Sequence, residues 1–164
     1  MEFMELGSMK ATIKNFQDYS EDFCKYTLYK VAMGLFHMHS NNVLHRDIKS
    51  DNIMHSENGS IKIGDLGSAG VLSLDRMKRK TKNGTLHFIA PEIARSSDYS
   101  KAIDVWSFGC FAYELASGNP PFHMIENKKE HMHRIINTDI EEVEGQWSPE
   151  FKDFIKKCLI RDEN

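Results

Sequence analysis

Residues 45–52 read His45-Arg46-Asp47-Ile48-Lys49-Ser50-Asp51-Asn52, a polar run between the short apolar pieces Val43-Leu44 and Ile53-Met54. A His-Arg-Asp triplet by itself is typical of a solvated turn where a helix meets a loop. Two further blocks follow along the chain, Asp65-Leu66-Gly67 and then Ala90-Pro91-Glu92. Only a fold that brings these blocks together would give the polar run a role beyond that of a turn.

The sequence between residues 43 and 90 predicts small strands followed by a long loop. Val43-Leu44, Ile53-Met54 and Ile61-Lys62-Ile63 are short apolar pieces, and the turn-forming Glu57-Asn58-Gly59 separates the last two. Residues 71–90 are basic and irregular, a composition suited to a long exposed loop. Loops of this length are usually functional or mobile.

Helical periodicity dominates the sequence on both sides of that region. A helix begins near Ser20, a suitable N-cap, and ends at Asn41-Asn42, because apolar residues recur in it every three or four positions. The segment 101–116 has almost no polar face, which predicts a helix buried at the centre of the molecule. Shorter helices are predicted over about 8–16, over 128–137 and from Ser148-Pro149 onward. The predicted fold class is therefore mainly α, a helical bundle around a buried central helix with a small β-hairpin region.

The composition is that of one globular domain, and it excludes several classes of protein. The 164 residues are 40% hydrophobic and 27% charged, with a formal net charge of −3. This balance lacks the excess of cations that nucleic-acid binding needs. The longest nearly apolar run, residues 105–116, is shorter than the roughly 20 residues of a membrane-spanning helix, and the acidic start does not resemble a signal peptide. We therefore expect a cytoplasmic protein with no nucleic-acid or membrane partner.

Four blocks, in this order and at these separations, resemble those of the protein kinases. They are HRDIKSDN at 45–52, DLG at 65–67, GTLHFIAPE at 84–92 and DVWSFGC at 104–110. The resemblance covers essentially all 164 residues. It implies the large, C-terminal lobe of a kinase, with the catalytic loop at 43–52 and the activation segment at 65–92. Lys49, two residues after Asp47, resembles the serine/threonine branch of the family.

The chemistry of phosphoryl transfer gives these blocks a physical reading. The reaction needs a carboxylate to orient the attacking hydroxyl, oxygen ligands for Mg²⁺, and a cation on the moving phosphate. Asp47, the pair Asn52 and Asp65, and Lys49 are residues of those types. The resemblance also implies that Thr85 hydrogen-bonds Asp47 and Lys49, and that ATP and Mg²⁺ are the cofactors.

The resemblance assigns packing roles to three more residues. His45 and Leu66 match the internal packing spine of the kinases, Leu66 standing where the family usually has phenylalanine. Asp104 matches the buried aspartate that holds the backbone of the catalytic loop. The expectation is that Leu66 keeps the apolar packing role of the phenylalanine and leaves Asp65 intact.

The first eight residues resemble the kinase hinge. The backbones of Glu2 and Met4 match the groups that bond adenine, and Met54 matches the floor of the adenine pocket. No glycine-rich phosphate loop and no Val-Ala-Ile-Lys strand occur in the sequence. The resemblance therefore implies that the small lobe is absent and that the chain stops before the last helix of the lobe. We expect such a fragment to be nearly inactive alone.

The basic segment before Thr85 is expected to carry the control of the site. Thr81 matches a threonine that is phosphorylated in the kinases, and Arg46 matches the residue that receives the phosphate. Within the family, the sequence most resembles the sterile-twenty and p21-activated kinases. The implied partners are proteins with Ser/Thr sites, together with an upstream activating kinase or a small GTPase.

Two other function classes are alternatives. A non-catalytic docking or binding module would use the helical surface and the activation segment, but it has no chemical need of Asp47, Lys49, Asn52 and Asp65 together. A Mg²⁺-dependent hydrolase would need a second cluster of carboxylates, which the sequence lacks.

Other candidate ligands for a metal are interpreted as structural. His37-Met38-His39 and His131-Met132-His133 lack a further ligand at a metal-binding spacing, so both are predicted to lie on helix surfaces. Cys24, Cys110 and Cys158 are odd in number and widely spaced, which favours reduced, buried thiols.

Overall fold

The computed structural model describes residues 3–15, 19–71 and 85–161. Two of the predicted site residues, Glu2 and Thr81, lie outside these ranges. So do Met1, Phe16 and most of the basic segment before Thr85.

Six α-helices form the described part of the fold. They are α1 (Met9–Asn15), α2 (Glu21–Ser40), α3 (Pro91–Arg95), α4 (Ala102–Ser117), α5 (Lys128–Asn137) and α6 (Pro149–Cys158). Four of them confirm the predictions to within about two residues at each end, α6 confirms its predicted start, and α3 was not predicted. Side-chain caps fix several starts: Ser20 accepts from Phe23 N, and Ser148 accepts from Phe151 N.

Four short strands form two antiparallel pairs. β2 (Ile53–His55) and β3 (Ile61–Ile63) make the predicted hairpin, in which Ile53 lies opposite Ile63. β1 (Val43–Leu44) pairs with β4 (Gly70–Val71), a strand that the sequence analysis did not predict. These pairings place both ends of residues 45–52 beside the segment that contains Asp65. β1, before residue 45, pairs with β4 after Asp65, and β2, after residue 52, pairs with β3 before Asp65.

The core is built around α4, as predicted. Eleven of its 16 residues are buried, including Phe111, Ala112 and Cys110. α6 packs closely on one side of it, because Gly109 brings the two backbones together: a Cβ at Gly109 would lie 2.7 Å from Cys158 Cβ. α2 covers another side. None of the helices in the described ranges has the length and apolar character needed to cross a membrane.

Three predictions about exposure were wrong. Residues 85–90 are not exposed loop: Leu86–Phe88 is a 3₁₀-helix, and Phe88 and Ala90 are buried because they pack into the core. His131 is fully buried instead of lying on a helix surface, because its ring packs edge-on against His87 and Phe122. Cys158 is only half-buried, since it lies in the last turn of α6, while Cys24 and Cys110 are buried as predicted; all three are free thiols.

Candidate functional site

Four polar side chains meet at the predicted catalytic loop. Lys49 Nζ donates to Asp47 Oδ2 at 2.7 Å and to Thr85 Oγ1 at 2.8 Å. Asn52 Nδ2 donates to the Asp47 carbonyl at 2.8 Å and to Asp47 Oδ2 at 3.1 Å. Thr85 approaches the other carboxylate oxygen, with its backbone N and its hydroxyl each 3.4 Å from Asp47 Oδ1. The structure thus joins Thr85 to a hydrogen-bonded group of three residues that lie more than 30 positions earlier in the sequence.

The Asp47 carboxyl is held in its ionised form. Burial alone would raise the pKa of Asp47, but the hydrogen bond and charge of Lys49, with further hydrogen bonds from Thr85 and Asn52, lower that pKa below its ordinary value. A carboxylate that is ionised and fixed by three neighbours can accept a hydrogen bond from a hydroxyl without first reorienting.

A buried carboxylate from the central helix fixes the backbone of the loop. Asp104, at the start of α4, accepts from the backbone N of His45 and from the backbone N of Arg46, each at 2.8 Å. His39 Nε2 donates to the same carboxylate at 2.9 Å. This is the contact that the resemblance implied for Asp104. It supports an unusual backbone, because Arg46 has a φ of 69°, in the left-handed region.

His45 connects the catalytic loop to the residues that precede Asp65. Its Nε2 donates to the carbonyl of Gly64 at 3.0 Å, and its Nδ1 accepts from Asp47 N at 3.3 Å. The ring therefore carries its proton on Nε2. Gly64 N in turn donates to the carbonyl of Asn52 at 2.7 Å. The two candidate metal ligands lie at this end of the hairpin, Asn52 directly before β2 and Asp65 directly after Gly64.

Asp65 is exposed and lies in a left-handed conformation, with a φ of 54°. Its Oδ1 accepts from Gly67 N at 3.1 Å, which caps the 3₁₀-helix Leu66–Ser68. The turn points Leu66 outward, and 61% of that residue is exposed. The predicted packing of Leu66 with the fully buried His45 is therefore wrong.

The described part of the predicted hinge lies against the hairpin. Ser8 bridges to Met54, and His55 N donates to the carbonyl of Gly7 at 3.0 Å. Met4 is half-buried, and its carbonyl accepts from Gly7 N at 3.0 Å in a tight turn. The structure thus brings residues 4–8 next to the strand that carries Met54.

A cavity of about 210 Å³ opens beside Asp47. Arg46, Thr85, Ile89 and Tyr99 are among the residues that line it. Arg46 lies with its guanidinium 5.8 Å from the centre of the Tyr99 ring, and its Nε is buried without a hydrogen-bond partner in the described ranges. Gly70 makes room for this side chain, since a Cβ there would lie 2.8 Å from Arg46 Nη2.

The sequence analysis missed two residues of this arrangement. His39 was placed on a helix surface, yet it donates to Asp104 from the last turn of α2. Gly64 supplies both a carbonyl for His45 and an N–H for Asn52. The only sequence signal for either was position, since His39 falls just before the turn that leads into residues 45–52 and Gly64 just before Asp65.

Comparisons with known proteins agree with this geometry. The protein kinase domain family matches residues 1–164. The serine/threonine-protein kinase pakB of Dictyostelium discoideum is 37% identical over 166 residues, covering 99% of this chain and 19% of that protein. The serine/threonine-protein kinase ste20 of Emericella nidulans is 36% identical over 164 residues, covering 99% of this chain and 19% of that protein.

A third relative, the serine/threonine-protein kinase MST20 of Pyricularia oryzae, is 36% identical over 164 residues, covering 99% of this chain and 18% of that protein. The chain spans about a fifth of the length of these three relatives. Their names confirm the predicted resemblance to the sterile-twenty and p21-activated group. With a family match over its whole length, this chain belongs to the protein kinase domain family.

Proposed function

We propose that this chain is the large lobe of a kinase that transfers the γ-phosphoryl group of ATP to serine and threonine hydroxyls of proteins. The observation that carries the proposal is the position of Lys49 Nζ, which is 2.7 Å from Asp47 Oδ2 and 2.8 Å from Thr85 Oγ1. A carboxylate and a cation fixed side by side suit a reaction in which a hydroxyl attacks a negatively charged phosphate.

Each side chain of the cluster has its own part in this proposal. Asp47 orients the attacking hydroxyl and accepts its proton. Because the pKa of Asp47 is lowered, the carboxylate is a weak base, and it acts chiefly by positioning. Lys49 offsets the negative charge of the γ-phosphoryl group while that group is transferred. Thr85 ties the activation segment to the catalytic loop, so that the loop geometry depends on the segment.

The oxygen atoms near the cluster fit Mg²⁺ and ATP. Both donor contacts recorded for Asn52 use Nδ2, which leaves the amide oxygen available as a ligand. Asp65 is an exposed carboxylate with one N–H partner in the described ranges. Hard oxygen donors of this kind suit Mg²⁺, which prefers a few protein ligands together with phosphates. Bound Mg²⁺ would supply neutralisation of the phosphate charge. Glu2, Met4 and Met54 would hold the adenine.

The proposed domain organisation follows the resemblance. Residues 1–8 form the hinge, 43–52 the catalytic loop and 65–92 the activation segment of a large lobe. The residues of this chain supply one half of the nucleotide site, so we expect the 164 residues by themselves to be nearly inactive. We further propose that the substrates are cytoplasmic proteins and that an upstream kinase or a small GTPase activates the site. Thr81 would carry the activating phosphate, and Arg46 would bind it.

The proposal is tested in a two-lobe protein, in which a kinase small lobe is joined before residue 1. ATP labelled at the γ-phosphate should label serine or threonine in a mixed peptide substrate, and hydrolysis of the product identifies the amino acid. Asp65→Ala should lower the rate by about 100-fold or more, because a metal ligand is lost. Asp98→Ala, an exposed acid that is not part of the cluster, is the matched control. Label on tyrosine alone, or an unchanged rate for Asp65→Ala, would contradict the proposal.

A further inference from the structure

Two histidine rings join α5 to the 3₁₀-helix Leu86–Phe88. The rings of His87 and His131 meet edge-on with their centroids 4.7 Å apart, and Phe122 packs edge-on against His131. His131 is fully buried, and neither nitrogen of its ring has a hydrogen-bond partner in the described ranges. Nδ1 of His87 is also buried without a partner there. The pair thus lacks the hydrogen bonds that buried polar groups normally make.

Thr85 connects this 3₁₀-helix to the cluster of polar side chains. Phe88 N donates to the carbonyl of Thr85 at 2.9 Å, which closes residues 85–88 into one turn, here called the Thr85 turn. Lys49 Nζ donates to Thr85 Oγ1 at 2.8 Å, whereas the backbone N and the hydroxyl of Thr85 are each 3.4 Å from Asp47 Oδ1. Both 3.4 Å contacts are long for hydrogen bonds. Any shift of the Thr85 turn therefore changes how Asp47 is held.

Positive charges surround the two rings. Burial, with the positive charges of His131, His123 and Lys10, lowers the pKa of His87. Burial also lowers the pKa of His131, although two nearby backbone carbonyls favour the proton. Lys10 is paired with Glu114 at 2.5 Å. A proton added to either ring would place a further charge in this positive surrounding.

Carboxylates on the neighbouring elements do not offset such a charge. On α3, α4, α5 and the residue stretch just before α5, the carboxylates are Glu92, Asp104, Glu114, Glu126 and Glu130. None of them is among the groups that shift the pKa of either ring. The further cations on these helices include Arg95 of α3 and Lys128, Lys129 and Arg134 of α5.

We propose that His87 and His131 are positioning residues for phosphoryl transfer: the neutral pair holds the Thr85 turn beside Asp47, and protonation of the pair in mild acid releases it. The effect on transfer rests on the proposed function. Two like charges at a buried contact repel each other and cost more still because burial removes water from both. Ser107 Oγ donates to the carbonyl of Phe88 at 2.8 Å, which keeps the end of the turn on α4. The start of the turn, at Thr85, is the part that moves.

Other effects of acid differ from this local release. The pKa of Asp47 lies below its ordinary value, so its carboxylate stays ionised between about pH 5.5 and 7.5. The γ-phosphate of ATP takes up a proton in this range, but it does so equally with every variant. A general loss of stability would expose the amides of α4 as much as those of the Thr85 turn.

The first measurement is amide hydrogen exchange of the 164-residue chain at about pH 7.5 and pH 5.5, expressed as protection factors. Protection of Thr85 and Phe88 relative to α4 should fall about tenfold in the parent chain. At one unit below the ordinary histidine pKa, a released ring favours the open state by up to about tenfold. His87→Leu and His131→Leu each remove one ring and should reduce the fall to about threefold.

Two further variants complete this series. The double variant H87L/H131L should change the relative protection by less than about twofold, because neither ring remains. His133→Leu, which removes an exposed ring of α5, should behave like the parent chain. Circular dichroism confirms that each variant is folded, and the two single variants are independent, so one of them is sufficient if the other unfolds.

The second measurement is single-turnover transfer in the two-lobe protein, reported as the ratio of the rate at about pH 7.5 to that at about pH 5.5. This ratio should be at least about threefold larger for the parent and His133→Leu than for H87L/H131L. Only ratios within one protein are compared, so a different absolute rate in a variant does not affect the result.

The two measurements separate this proposal from the proposed function. If exchange behaves as expected but no transfer occurs at either pH, the proposed function fails and the release of the Thr85 turn stands. The release is overturned if the Thr85 turn loses no more protection than α4, or if the loss is as large in H87L/H131L as in the parent. The positioning role is overturned if transfer occurs and its pH ratio is the same in both proteins.

Discussion

At the scale of single residues, the carboxylate of Asp104 fixes the backbone at the start of the predicted catalytic loop. It is fully buried and accepts from two consecutive backbone N–H groups and from His39. Without it, these donors would be buried with no acceptor, which costs more than an ordinary hydrogen bond contributes. The left-handed φ of Arg46 adds a backbone conformation that the unfolded chain avoids.

We therefore expect Asp104→Ala to lower the free energy of unfolding by about 3 kcal/mol or more. The measurement is urea denaturation followed by circular dichroism. Asp98→Ala, which removes an exposed carboxylate six residues earlier, should change the free energy by less than about 0.5 kcal/mol. Equal effects of the two substitutions would show that Asp104 does not hold the loop.

At the scale of elements, α5 packs against the 3₁₀-helix Leu86–Phe88 through two histidines. The rings of His131 and His87 meet edge-on with centroids 4.7 Å apart. Burial lowers the pKa of His131, against the opposing effect of the carbonyls of Ile125 and Leu86. Burial, with the positive charges that His131, His123 and Lys10 would place nearby, lowers the pKa of His87. Both rings are therefore held neutral in the folded protein.

The sign of the pH effect follows from these directions. The unfolded chain binds protons at the ordinary histidine pKa, near 6.5, whereas the folded chain resists them. The free energy of unfolding should be highest above that pH and should fall as the pH is lowered below it. Denaturation at several values between pH 5 and 8 measures the effect.

His131→Leu should flatten this pH dependence because it removes one of the two buried rings. His133→Leu changes an exposed ring two positions further along α5 and is the control. If the free energy of unfolding changed equally with pH in His131→Leu and in the parent chain, the pH dependence would not arise from this interface.

The sequence predicted those helices and strands whose ends are marked by nearby residues, such as helix caps and turns. Ser20 and Ser148 cap helices at the residues that the sequence indicated, and Glu57-Asn58-Gly59 turns the hairpin between β2 and β3. Short strands such as β4 have no local signal, because their existence depends on a partner that is distant in the sequence. His131 has the polar side chain of a surface residue, and only the packing of Phe122 and His87 around it explains its burial.

The candidate site, too, was predictable only in part. The residue types at 47, 49, 52 and 65 were readable from the motifs, and the fold supplies their contacts. Leu66 was assigned to the core because it matches the packing spine of the kinases, but the left-handed turn at Asp65 directs it outward. His39 was not predicted because its partner, Asp104, is 65 residues away.

At the scale of the whole molecule, the described contacts form what we propose to be one face of a nucleotide site. Asp104 of α4 accepts from the backbone of His45, Gly64 after β3 donates to the carbonyl of Asn52, and Thr85 joins the predicted activation segment to the cluster. The residues of this chain include no glycine-rich loop and no Val-Ala-Ile-Lys strand, which supply the opposite face in the family. We therefore expect phosphoryl transfer to need a second, small lobe in addition to these residues.

The most direct test of the central claim is the single-turnover rate of phosphoryl transfer from Mg²⁺-ATP to a serine/threonine peptide in the two-lobe protein. Asp47→Ala should lower this rate by about 100-fold or more while the thermal unfolding transition is unchanged, because the group that orients the hydroxyl is lost. The 164 residues without a small lobe should give no measurable transfer. A rate for Asp47→Ala within about tenfold of the parent, or 1.4 kcal/mol of barrier, would contradict the role of the cluster at residues 47–52.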